Sequence, residues 1–295
     1  MKKHAYLITA YNNWEILKKQ ILLLDDERND IYLMIDKKTQ DFSPSILPEC
    51  KYSKLILMDR IEIFWAHFSQ VQSTLTMLHR AFEEEEQQQI RYSYFHLFSG
   101  VCLPIKSQDY IHSFCDGCGK ELIAVVPRKQ WYCTKRVRFY YPLVGTRIYK
   151  NHKTVKAVSE GFALLQRFFR VDRLKNKDIT IYNGWDWGSF TKEFAQYLLS
   201  REDEIRDMFS KSLCPSELWF QTMALNSEFR DRIYDIDDLK KSSMRYIDWS
   251  RGNPYVWQEE DYCTLIESPY LFARKFDQKV NMDIVNKIYD YVKQS

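Results

Sequence analysis

Apolar runs of strand length that alternate with helical patterns constrain this chain more than any other feature. Tyr6-Leu7-Ile8, Ile31-Tyr32-Leu33-Met34-Ile35 and Leu55-Ile56-Leu57-Met58 are three such runs. Trp14 to Leu24 follows the first, while Phe68, Val71, Leu75, Leu78 and Phe82, at intervals of three and four, follow the third. Strand runs alternating with one-faced helices predict βαβ units and an α/β fold with a mainly parallel sheet. Tyr94 to Phe98, closing at Ser99-Gly100, and Ile179 to Tyr182, closing at Asn183-Gly184, predict two more strands. Ligands of open α/β sheets bind beyond the carboxyl ends of strands, so Asp36, Ser99-Gly100 and Gly184 are expected to line one crevice. The cluster Trp185-Asp186-Trp187-Gly188 follows directly and offers aromatic faces that suit sugar rings. Ser216 predicts the N-cap of a helix running through Leu225, and Val285, Ile288 and Val292 mark a terminal amphipathic helix.

With only 8 Gly and 8 Pro among 295 residues there is no linker composition or repeat, so residues 1–295 are read as one domain. The 43 basic residues barely exceed the 40 acidic ones, which gives no footprint for nucleic acid. Locally, Arg128, Lys129, Lys135, Arg136 and Arg138 interleave with Trp131, Tyr132, Phe139, Tyr140 and Tyr141. That cluster could serve an anionic substrate or a membrane surface, or be a solvated basic loop anchored by its rings. Residues 158–177 pose a similar choice. Phe162, Leu165, Phe168 and Phe169 among Arg167, Arg170, Arg173, Lys175 and Lys177 could lie on anionic lipid, or Phe162, Leu165 and Phe169 could face the core.

Seven cysteines without framework spacing fit free thiols in a reducing, cytoplasmic setting. Cys115-Asp116-Gly117-Cys118 lacks a second ligand pair and is read as a turn at Asp-Gly. Lys2-Lys3-His4 with the short apolar run behind it reads as a strand rather than a leader. No stretch approaches the roughly 20 apolar residues of a spanning helix.

The segment Cys214-Pro215-Ser216-Glu217-Leu218-Trp219, followed downstream by Arg245 and Lys275, supplies one candidate base and two cations. Glycosyl transfer needs a base for the acceptor hydroxyl and positive charge for a departing diphosphate. By itself, a glutamate early in a helix is usually structural. Enzymes of this α/β class often hold a metal with Asp-x-Asp after a central strand. The lone instance here, Asp235-Ile236-Asp237, comes late, before a lysine pair, and reads as a turn. No metal or other cofactor is therefore expected. A glycoside hydrolase would need a second carboxylate, which Asp186 or Glu193 could provide. A non-catalytic carbohydrate-binding protein is the third reading.

Segment by segment the chain resembles the core-2/I-branching N-acetylglucosaminyltransferase and peptide O-xylosyltransferase family. YLITAYNNW with IYLMIDKK, FWAHFSQVQSTLTMLHRAF, YFHLFSGVCLPIKS, GWDWGSFTKEFAQYL, CPSELWFQTMALNS and LFARKFD follow the family's order from Tyr6 to Asp277. The resemblance implies a GT-A-like, Rossmann-type fold and inverting, metal-independent transfer of a GlcNAc-like or xylose-like sugar from a UDP-sugar to a glycan or lipid-linked acceptor. It divides the domain into a nucleotide-sugar half, 1–120, and an acceptor and catalytic half, 121–295. It makes Glu217 the base, Arg245 and Lys275 the diphosphate cations, and Asp36 the contact to the nucleoside base. Trp185, Asp186, Trp187 and Arg138 are the candidate acceptor residues. Ser216, Cys102, Trp185 and Gly188 depart from the family pattern, so its sugar and acceptor preferences do not transfer automatically.

Overall fold

The computed structural model describes residues 2–295. Its strands are β1 (Lys2–Ala10), β2 (Asn29–Ile35), β3 (Lys54–Leu57), β4 (Arg91–Ser99), β5 (Cys102–Pro104), β6 (Leu122–Val126), β7 (Asn183–Thr191), β8 (Arg245–Ile247) and β9 (Phe272–Arg274). Its helices are α1 (Trp14–Leu24), α2 (Ser69–Gln88), α3 (Gln108–Cys118), α4 (Gln130–Arg138), α5 (Lys153–Phe168), α6 (Lys192–Ser200), α7 (Glu202–Phe209), α8 (Trp219–Leu225), α9 (Leu239–Ser243), α10 (Tyr262–Ile266) and α11 (Asp283–Gln294).

The main sheet runs β3-β2-β1-β4-β7-β6. β3, β2, β1 and β4 are parallel, and β7 runs antiparallel to both β4 and β6. Alternation along β1 explains the two layers. Ala5 and Leu7 join the core beneath α2, α6 and α8, while Tyr6, Ile8 and Ala10 join the one beneath α1 and α3. A small sheet, β5-β9-β8, stands beside the first, and α11 packs its Ile284, Val285, Ile288 and Val292 against α1 there. This is the GT-A-like, Rossmann-type α/β arrangement. The sheet draws strands from both 1–120 and 121–295, because β4 pairs with β7.

Near the start of β1, three buried histidines meet. His4 stacks on His112 with ring centroids 3.8 Å apart, and its Nδ1 lies 3.0 Å from Nε2 of His96. His96 Nδ1 is 2.7 Å from Ser189 Oγ, which ties β4 to β7. Burial holds all three rings below the usual histidine range, His112 down to about 3.

Four local expectations are corrected. Residues 179–182 form no strand. The strand begins at Asn183, so Gly184 and the Trp185-Asp186-Trp187 cluster lie inside β7 and not beyond it. Glycine is required at 184, where an added Cβ would meet the Ala124 carbonyl oxygen at 2.1 Å. Cys115 to Cys118 is the last turn of α3, closed by Gly119 in the left-handed region, and not a turn at Asp-Gly. Ser216 caps nothing. Pro215–Glu217 is a 3-10 turn, Leu218 holds the N-cap position of α8, and Ser216 Oγ points to Gln70 Oε1 at 3.4 Å. Finally, α5 buries Ser159, Ala163 and Gln166, leaving Phe162, Leu165 and Phe169 outside the core.

Candidate functional site

The crevice beyond β1, β2 and β4 is built from backbone outward. Asp36 leaves β2 with its N–H donating to the Ala10 carbonyl, and its carboxylate accepts the backbone N–H groups of Lys38 (3.0 Å) and Ile63 (3.2 Å). Lys38 Nζ lies 2.7 Å from the same carboxylate. Asp36 thus pins the loop after β3 to the end of β2. That loop continues to Ala66, whose carbonyl accepts the Cys214 N–H at 2.9 Å, so it also fixes the segment carrying Glu217.

Glu217 ends its 3-10 turn with the side chain 42% exposed and one oxygen 2.8 Å from Arg136 Nη2. Arg136, from α4, is buried and also donates to the carbonyls of Leu213 and Cys214. A guanidinium fixed at three points holds the carboxylate in one direction. Glu217 precedes α8 and does not lie in its first turn.

Asp186 faces the same place from β7. Its Oδ1 is sealed from water without a hydrogen-bond partner. Burial pushes its carboxyl up to about 6, the Glu217 charge adds to this, and Ser216, Arg274 and Arg136 oppose it. Two carboxylates thus share a site, one open and arginine-bound, the other inclined to keep a proton. The carbonyl of Trp185 accepts Gln221 Nε2 at 2.7 Å, coupling β7 to α8 behind Glu217.

Arg274, at the end of β9, donates from Nη1 to Ser99 Oγ at the end of β4. Its guanidinium stands 3.5 Å from the centroid of the Trp187 ring, and Cys102 Sγ lies 3.7 Å away. Lys275 follows, partly exposed and without an ion pair among the described residues. Trp185 is buried, with its ring 6.5 Å from the exposed Trp249.

Two expected residues are not brought in. Arg245 is 2% exposed, and its guanidinium donates to the carbonyls of Ser243 (2.8 Å), Leu97 (3.3 Å) and Gly188 (2.8 Å) and to Ser189 Oγ (3.1 Å). It lies between the Phe98 and Phe272 rings, and burial lowers it to about 10, still charged at neutral pH. Both terminal nitrogens are thus engaged within the protein. Arg138, two residues beyond Arg136 and so on another face of α4, pairs with Asp172 at 3.3 Å beside a separate cavity. Glu193 is engaged with Arg232, 3.4 Å away on the surface. Asp235 spends Oδ1 on the N–H groups of Asp237 and Asp238, as a turn.

Arg136, Arg274 and Trp249 were missed. Arg274 had a signal, since it adjoins Lys275, whereas nothing in the basic run 128–138 distinguishes Arg136 before α4 has a direction.

A family model described as Core-2/I-Branching enzyme matches residues 4–268. Xylosyltransferase sqv-6 of Caenorhabditis briggsae is 28% identical over 146 residues, covering 41% of this chain and 17% of that protein. Xylosyltransferase 2 of Homo sapiens is 26% identical over 129 residues, covering 38% and 15%. The matches thus span about a sixth of these curated relatives. Among solved structures, mouse xyloside xylosyltransferase 1 in its apo form aligns over 92% of this chain and 97% of that one, at TM-score 0.40 and 8% identity.

Proposed function

The chain belongs to the Core-2/I-branching enzyme family, and from that membership we propose that it is an inverting glycosyltransferase moving a sugar from a UDP-sugar to a hydroxyl of a glycan or lipid-linked acceptor. The observation that carries this reading is the half-open Glu217 carboxylate, aimed by buried Arg136 beside Asp186, with Arg274 near enough to act on the Asp186 carboxyl. Glu217 takes the acceptor hydroxyl proton. The acceptor oxygen forms its bond to the anomeric carbon as the bond to the diphosphate oxygen breaks, and the electron pair leaves with UDP. Lys275 and the free edge of Arg274 meet the charge that develops, a role in which fixed cations replace a metal. Asp36, which organises the loop at the β2 end, contacts the nucleoside base. Trp187 and Trp249 offer rings to the sugars. The seven unpaired thiols support a cytoplasmic setting.

The test compares wild type with Glu217→Gln. Donor binding by calorimetry stays nearly unchanged, while transfer falls by roughly two to four orders of magnitude, the share of a positioned general base. Wild-type transfer by the variant removes Glu217 from the reaction. Transfer in excess EDTA tests the metal-free assignment.

A hydrolase draws on the same Asp186 and Glu217 pair, since two carboxyl groups in unlike environments can divide acid and base roles. Release of sugar from free oligosaccharides, with nucleotide sugars left intact, selects it.

A further inference from the structure

Helix α5 is inside out. Its packed side is small or polar: Ser159, Ala163 and Gln166, whose amide bonds the N–H and carbonyl of Tyr140 at 2.8 and 2.9 Å. Its large apolar residues point to water. Leu164 is 64% exposed, Leu165 53%, Phe168 79% and Phe169 67%, and Val158 and Phe162 continue the surface. A contiguous apolar face of this kind on a helix with a polar seat marks a surface made to be covered.

Beside Phe168 and Phe169 lies a cavity of about 500 Å³ between α4 and the end of α5. Lys135, Arg138, Arg167 and Arg170 line it, with Trp131 and the carboxylate of Asp172. Lys135 and Arg138 are paired to Glu160 and Asp172, at 3.5 and 3.3 Å. Arg167 and Arg170 have no acidic partner among the described residues. The missing partner must therefore offer both an apolar interior and unpaired negative charge within one helical turn. The same face of a second copy has no unpaired carboxylate to offer, because its Glu160 and Asp172 are already paired with Lys135 and Arg138.

We propose that this face docks on the surface of an anionic bilayer, with Leu164, Leu165, Phe168 and Phe169 entering the headgroup boundary and lipid phosphates meeting Arg167 and Arg170 in the cavity. The contact is peripheral, since no helix among the described residues is long and apolar enough to cross a membrane. It concerns a face distinct from Glu217 and stands whether or not the catalytic reading does.

The experiment is co-sedimentation of the full chain with vesicles of phosphatidylcholine alone and of phosphatidylcholine mixed with phosphatidylglycerol. Binding is expected to the mixed vesicles and to weaken with salt. A cation near an anionic surface contributes about fivefold in partitioning, so Arg167→Gln/Arg170→Gln lowers binding roughly twenty- to thirtyfold. Phe168→Ser/Phe169→Ser lowers it by about tenfold or more. Both variants keep the wild-type melting temperature, as the changed side chains are exposed. Absence of binding, equal binding to both vesicle types, or variants that bind like wild type overturn the proposal. So does a concentration-dependent dimer that the phenylalanine variant abolishes while vesicles stay unbound.

Discussion

Two cations that look alike in sequence behave differently once their surroundings are compared. Arg245 is enclosed by carbonyls and aromatic rings, so its loss leaves several acceptors without donors in a dry interior. Each such orphan costs about 1–3 kcal/mol. Lys275 sits partly open beside Arg274, and its loss removes charge without opening the core. Arg245→Ala is therefore expected to lower the urea midpoint by the equivalent of about 3 kcal/mol or more, since several acceptors are orphaned together. Lys275→Ala is expected to leave the midpoint nearly unchanged and to lower transfer by about 100-fold or more, as for one lost electrostatic contact. Parallel unfolding curves and initial rates check both. An Arg245→Ala protein that unfolds like wild type yet fails in catalysis returns that arginine to the reacting centre.

At the scale of elements, β7 shows why packing outranks local preference. Ile179-Thr180-Ile181-Tyr182 has the residues strands favour, whereas the strand that forms, Asn183 to Thr191, carries two glycines and an aspartate. Those glycines let β7 approach β6. An added Cβ at Gly184 meets backbone at 2.1 Å, and one at Gly188 meets Ile123 Cγ2 at 2.8 Å. Because the Ala124 carbonyl cannot rotate away as a side chain could, Gly184→Ala is expected to cost about 2–3 kcal/mol or more, the upper range for overpacking. Differential scanning calorimetry checks it, and an unchanged melting temperature refutes the close approach. The parallel strands, α1, α2 and α11 were legible because their apolar spacing coincides with the buried face. Glu217 and Lys275 could be named as candidates because the motifs that hold them are local. Asp186 could be named, but its environment could not, because it arises when β7 meets the 3-10 turn from a distant segment. Periodicity also misleads on α5, where the apolar positions are the exposed ones.

Across the whole molecule, buried titratable groups set a pH response with a definite sign. His4, His96 and His112 are held neutral by burial, while the unfolded chain binds their protons below about 6.5. In that range the unfolded state gains protons, so acidification costs stability. Glu121, pushed up to about 7 by burial, and Asp186, near 6, act oppositely, keeping protons that the unfolded chain releases until about pH 4. Three groups against two leave a net loss. The urea midpoint is expected to fall gently from about pH 6.5 to 5 and steeply below about pH 4, where the two acids no longer compensate. A midpoint that climbs throughout acidification means that the histidines are charged in the folded protein. The main sheet has one further property at this scale. β4 and β7 are laddered over Tyr94, Phe95 and His96, opposite Thr191, Phe190 and Ser189, and the following pair, Leu97 and Gly188, gives both its carbonyls to Arg245. The sheet is a zip stopped after three teeth by a guanidinium. Trp187 and Asp186 lie just past the stop, so the stretch of β7 that carries them is released from β4 at the point where a buried guanidinium takes over both carbonyls.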